Sequence, residues 1–169
     1  MSKVVVIVAP QNFQPVEYSE TLKALKDKGI EVVTASTIPN PTASNQETYQ
    51  ADILIDDIDP SDYDAIILIG GSGSSVYFHH SKLHRLVIEF NSQHKTIAAI
   101  CAAPAILAYA GVLKDKNATC FPSHLNDLKS QSAHYIEQAV VEDDNIITAN
   151  GPDAATDFGK LITSKISLI

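Results

Sequence analysis

Lys3–Ala9 reads KVVVIVA, a nearly unbroken β-branched run. Such a run commits the chain to a strand buried on both faces of a parallel sheet. Glu17–Lys28 follows, with Leu22 and Leu25 on one helical face and Gly29 where a C-cap belongs. Glu31–Ser36 (EVVTAS) is a second strand. Together they predict a βαβ unit with a right-handed crossover.

The alternation then continues. Ile38–Gln50 is rich in Pro, Asn, Thr and Ser and is expected as a loop, with Asp52–Ile55 a short edge strand. Asp64–Gly71 (DAIILIGG) is a buried strand ending in glycines. Ser81–Ser92 is a helix with Leu83, Val87 and Phe90 on one face. Thr96–Ile100 predicts a strand and Ala103–Leu113 a helix. Asn145–Ala149 reads as a late strand, hairpinned with Ala139–Glu142 through Asp143-Asp144, and Ala154–Ile169 as a closing helix. With no repeat, linker or low-complexity tract, residues 1–169 are expected to form one α/β sandwich domain around a mainly parallel sheet.

Composition narrows the function. A net charge of −8, with no basic run, argues against a nucleic-acid partner. The N-terminal MSKVVVIVAP is too short an apolar segment for a signal peptide or a membrane span, so a cytoplasmic protein without a membrane partner is expected. Cys101 and Cys120 do not make a disulfide framework.

Ligands of such sheets bind at the carboxyl ends of the strands. Four segments converge there: the loop PQNFQPVE leading to Glu17, the pair Gly70-Gly71 followed by SGSS, Cys101, and Asn150-Gly151-Pro152-Asp153. Cys101 sits between a strand and a helix, with Ala98, Ala99, Ala102 and Ala103 around it and Pro104 suited to a first helical turn. A nucleophile on a tight strand-to-helix turn needs such small neighbours. The helix N-terminus is expected to favour its thiolate, and the N–H groups of Gly71 and Ala102 could hold an oxyanion. A small buried hydrophobe fits the same pattern. For Glu17 the plainer reading is favoured, because an acid near a helix start simply complements the dipole.

The remaining motifs read as bland. GGSGSS lacks the Lys of a Walker loop and a clean GxGxxG. His80 and His84 share a spacing that can ligate zinc with His79 beside them, but no third ligand stands in the pattern and a solvated helix start is favoured, so no metal is expected. His124 and His134 are isolated and polar in context. Cys120, in TCFPSH, is read as a strand-end core residue, or as a resolving thiol if it lies close to Cys101.

AAICAAPAILAYAGVLKDKNAT, preceded by YDAIILIGGSGS and followed by NIITANGPDAATDFGKLI, resembles the ThiJ/PfpI superfamily over almost the whole chain. The resemblance implies a flavodoxin-like three-layer α/β sandwich of the class I glutamine amidotransferase-like kind, usually a homodimer or higher oligomer, with a reactive cysteine on a nucleophile elbow. Cys101 matches the nucleophile. Glu17, which the spacing to Gly29 favours over Glu20, matches a usually protonated glutamate bonded to the sulfur. Gly71 and Ala102 match the backbone donors, and Gly151-Pro152 an active-site loop in which Asp153 replaces a frequent glycine. Gly70, Phe121 and His124 are expected to border the pocket.

Two departures from the family matter. Ala102 stands where protease-like members carry histidine. Phe121 and Pro122 occupy the place of the histidine of glyoxalase-active members, with His124 three positions off. The resemblance thus implies a cysteine-dependent, cofactor-free enzyme acting on small reactive carbonyls, of glyoxalase or deglycase type, through a Cys101 hemithioacetal with Glu17 as proton shuttle. A redox-sensing or chaperone-like stress protein using oxidation of Cys101 is the alternative. A cysteine hydrolase or amidase of the peptidase type is a further one.

Overall fold

The computed structural model describes residues 1–167. The β-branched run forms β1 (Lys3–Ile7), where Val4, Val5 and Val6 are fully buried. Each such side chain contributes roughly 1.5–3 kcal/mol of burial free energy. The further strands of the main sheet are β2 (Glu31–Ser36), β3 (Ile53–Leu54), β4 (Ala65–Leu68), β5 (Thr96–Ile100), β6 (Val140–Asp143) and β7 (Ile146–Ala149). They lie in the order β6-β7-β5-β4-β1-β2-β3. Only β6 is antiparallel to its neighbour. Val5 of β1 stands opposite Val33 on one side and Ile66 on the other.

The chain runs outward from β1 to β2 and β3, then returns to β4 on the other side of β1. The strand order therefore reverses between β1 and β4, the point at which open α/β sheets hold ligands.

The helices are α1 (Pro15–Asp27), α2 (Ser81–Ser92), α3 (Pro104–Tyr109), α4 (Leu125–Ser130) and α5 (Ala155–Ile166). α1 packs with α5, and α2 with α3, so that helices cover both sides of the sheet. The contact of α1 with α5 is close: a Cβ on Gly159 would stand 2.8 Å from the Ala24 Cβ. α1 ends as its glycine predicts. Gly29 has φ 72°, its N–H reaches the Lys26 carbonyl at 2.9 Å, and the Ile30 N–H reaches Leu25 at 3.1 Å.

Several boundaries differ from the sequence-based expectation. α3 stops at Tyr109 rather than Leu113, because Gly111 adopts φ 87° and donates to Ala108 at 3.0 Å while Val112 donates to Leu107 at 3.3 Å. That pair of bonds is a Schellman cap, which ends the helix although apolar residues continue. Gly111→Ala is expected to cost about 1–2 kcal/mol through the left-handed backbone alone, since nothing lies within 4 Å of the new methyl; urea denaturation measures it. The strand expected over Asp64–Gly71 ends at Leu68, freeing the glycines for the site. The late hairpin turns at Asp144-Asn145, one residue later than expected. The segment Ile38–Gln50 is not wholly loop, because Thr42–Ala43 pairs with Gln11–Phe13. Of the closing helix, Leu168 and Ile169 lie outside the described residues.

Among the described residues, no helix is long and apolar enough to cross a membrane. Both cysteines are free and buried.

Candidate active site

Cys101 follows β5 directly and has φ 64°, a left-handed conformation that a non-glycine residue adopts only where its surroundings impose it. Two backbone bonds impose it here. The Cys101 N–H donates to Ala149 at 2.9 Å, and the Cys101 carbonyl accepts from the Phe121 N–H at 2.8 Å. The residue is only 8% exposed. The small neighbours are a steric requirement: a Cβ on Gly70 would stand 2.5 Å from the Cys101 Cβ and from the Ile100 carbonyl oxygen.

Glu17 lies in the first turn of α1, but not as a solvated partner of the dipole. It is fully buried, and its Oε1 accepts from the Gly70 N–H at 3.0 Å. Its Oε2 has no hydrogen-bond partner, and the Cys101 side chain lies beside the carboxyl across Gly70. Burial pushes the Glu17 pKa up to about 7, against the opposing hydrogen bonds from Cys101 and Gly70. The thiol is pushed up to about 12, by burial first, then by the Glu17 charge and its hydrogen bond; the Gly71 and Ala102 N–H groups pull the other way.

The expectation that the helix N-terminus favours the thiolate is therefore overturned. α3 is only six residues long, and burial beside a carboxyl outweighs it. Near neutral pH the carboxyl can therefore take up or release a proton while the thiol keeps its own, the property required of a general acid–base group.

A cleft of about 320 Å³ opens over the sulfur. The structure brings Cys101, Gly71, Ala102, Phe121, His124 and Pro152 together around it. Gly70 lies beneath, against Glu17 and Cys101. Gly151 falls in an adjoining depression with Asn150 and Asp153, across the Phe121 ring. Gln14, Ser44, Ser72 and Ser123 also line the cleft, and sequence reasoning missed them. Gln14 and Ser72 belong to segments already singled out at strand ends. Ser44 had no local signal, because only the pairing of Gln11–Phe13 with Thr42–Ala43 folds its loop over the site. A larger groove, of about 410 Å³ between α1 and α5, is lined by residues such as Glu20, Lys23 and Lys160 and holds neither cysteine nor Glu17.

The other candidates have tasks of their own. The His80 side chain caps α2 by accepting from Leu83 N–H at 3.2 Å, and His84 is tied to the Phe78 carbonyl at 2.7 Å, so both imidazoles have structural tasks. Among the described residues, no group of three or more potential metal ligands gathers. His134 lies exposed in a short pairing with Asn117–Ala118. Cys120 is fully buried in the core, and burial pushes its thiol up to about 12.

A parallel sheet whose strand-end elbow presents a thiol to a buried carboxyl defines a class of cysteine-centred α/β proteins. The chain belongs to the DJ-1/PfpI family, whose model matches residues 2–165. It is 38% identical over 164 residues to the protein MJ0967 of Methanocaldococcus jannaschii, covering 94% of this chain and 79% of that one. It is 30% identical over 149 residues to the deglycase TK1284 of Thermococcus kodakarensis, covering 88% and 90%. The crystal structure of a ThiJ/PfpI domain protein from Brachyspira murdochii superposes with a TM-score of 0.96 at 26% identity, covering 99% of this chain and 97% of that one.

Proposed function

We propose that the protein is a cysteine-dependent enzyme that converts small reactive carbonyls such as methylglyoxal, with Cys101 as nucleophile and Glu17 as proton shuttle. The observation that carries this reading is the fully buried Glu17 carboxyl, its pKa raised to about 7, lying beside the Cys101 thiol across Gly70. Sγ attacks the aldehyde carbon and the carbonyl π pair moves to oxygen, where the N–H groups of Gly71 and Ala102 hold it. The thiol proton passes through Glu17 to that oxygen, giving a hemithioacetal. Glu17 then removes the proton from the former aldehyde carbon and returns one to the adjacent carbon, while the hydroxyl proton on the first carbon passes to the oxygen of the second. The first carbon is oxidised and the second reduced, leaving a lactoyl thioester on Cys101. Water cleaves the thioester to lactate and free thiol. Adducts of the aldehyde with an amine or thiol would enter the same path, in keeping with the deglycase among the relatives. The path invokes no cofactor; a homodimer or higher homo-oligomer is proposed as its working state.

The wild-type protein is expected to convert methylglyoxal to lactate, and Cys101→Ser to do so no faster than buffer. Equal rates for the two would overturn the reading.

Oxidation of Cys101 as a redox signal is the second reading. The unpartnered Glu17 Oε2 favours it, since a protonated carboxyl there could donate to a sulfinate oxygen. The raised thiol weighs for the carbonyl reaction instead. Peroxide attacks the thiolate, whereas addition to an aldehyde proceeds with the proton handed on as the bond forms. Histidine-assisted peptide cleavage is the least supported alternative, given Ala102 immediately after Cys101.

A further inference from the structure

Glu17 is sealed beneath the sulfur with no exposed surface, so it is poorly placed to activate water for the last step, release of the thioester. The cleft over Cys101 is lined by one imidazole, that of His124. Its placement is tied to the nucleophile through the backbone. Phe121 N–H donates to the Cys101 carbonyl, and a single helical turn over Pro122–His124 closes with His124 N–H on the Phe121 carbonyl at 2.9 Å.

The imidazole is also oriented. Nδ1 lies 2.9 Å from Asp127 Oδ2, one turn along at the start of α4. The other Asp127 oxygen accepts from the Tyr109 hydroxyl at 2.5 Å, which anchors the carboxylate to the end of α3. Burial raises the Asp127 pKa, but the Tyr109 and His124 hydrogen bonds more than offset it, so the carboxyl stays ionised well into the acid range. With Asp127 as an ionised acceptor, Nδ1 carries the proton and Nε2 is left as the basic nitrogen. Phe78 meets the imidazole edge-on at 5.5 Å and His79 lies against Tyr109 at 4.5 Å, closing an aromatic box around the pair. Asp127 is the charged group bonded to this imidazole, and Tyr109, His79 and Cys120 in turn bear on Asp127.

We infer that His124, oriented by Asp127, is the general base that activates water against the Cys101 thioester. This rests on the carbonyl reading above and divides its labour. Glu17 moves protons within the bound carbonyl, while His124 Nε2 takes a proton from water as the oxygen attacks the acyl carbon. The carbon–sulfur bond then breaks, and the proton returns to sulfur. Asp127 and Tyr109 act through His124 as positioning residues. The spacing of three between His124 and Asp127 was visible in SHLND, but nothing local placed the pair beside Cys101.

The test is pre-steady-state methylglyoxal consumption and intact mass on the full chain, for wild type, Cys101→Ser, His124→Ala, His124→Gln and Asp127→Asn. His124→Ala is expected to consume about one equivalent in a burst and then turn over roughly 10²-fold more slowly than wild type. It should accumulate protein heavier by one methylglyoxal, absent in Cys101→Ser, and imidazole in the buffer should restore turnover. His124→Gln, which keeps a polar side chain of similar reach, should show the same burst, and Asp127→Asn a smaller one. Wild-type turnover in the His124 variants, or loss of the burst together with turnover, would overturn the assignment while leaving the Cys101 reading standing. Identical behaviour of wild type and Cys101→Ser would remove the reading itself, and this inference with it.

Discussion

Glu17→Gln is expected to lower kcat/KM for methylglyoxal by roughly 10³-fold, because it removes the proton shuttle while keeping the shape of the side chain. The same substitution changes how stability depends on pH. The Glu17 pKa rises from 4.5 to about 7 on folding. Between those values the folded protein binds a proton that the unfolded chain has released, so stability falls as pH rises through that window and levels off above it. A shift of that size corresponds to a loss on the order of 3 kcal/mol. Gln has nothing to titrate. The stability of the variant relative to wild type should therefore improve by about that amount between pH 4.5 and 7. Whatever constant cost its amide carries does not alter the trend. Urea denaturation of both proteins across this range measures it, and a pH-independent difference would show that the carboxyl is not held in this way.

Gly70→Ala is expected to abolish activity at a cost of about 1–3 kcal/mol in stability. The added methyl would stand 2.5 Å from the Cys101 Cβ and the Ile100 carbonyl oxygen, and 2.7 Å from Glu17 Oε1. Neither of the first two is the end of a flexible side chain, so the elbow itself must shift, and the carboxyl with it. Gly29→Ala is the control. It has no atom within 4 Å and bears only the cost of its φ of 72°, so activity should survive a comparable loss of stability. Near-normal turnover in Gly70→Ala would mean that the close approach of elbow and carboxyl does not matter to the chemistry.

The fold was legible in the sequence wherever one physical cause dominated. A doubly buried strand needs β-branched residues throughout, and KVVVIVA could be little else. The α2 boundaries, Ser81–Ser92, followed from the spacing of Leu83, Val87 and Phe90. The end of α3 was misread because Val112 and Leu113 prolong the apolar pattern, while the left-handed turn at Gly111 redirects the chain. The site was legible in part for a similar reason. Small residues around Cys101 are a local signature of an elbow, but the burial of Glu17 is not local. It depends on α1 lying where the strand order reverses, so that a first-turn carboxyl meets Gly70, which is 53 residues away in the chain. The thiol's raised pKa was beyond reach for the same reason: the helix dipole is readable in sequence, whereas desolvation belongs to the packed interior.

The oxygen of Glu17 that finds no hydrogen-bond partner has a consequence for laboratory evolution. A population of variants screened only for survival of heat, at a pH where this carboxyl is ionised, would be under steady pressure to discard it. Neutral or apolar side chains that fill the same volume would be enriched round by round, and the most heat-resistant clones would be the ones with the least chemistry. Alternating each thermal challenge with a requirement to detoxify an aldehyde should hold the residue in place, making its retention in the surviving sequences a direct count of what the buried charge is for.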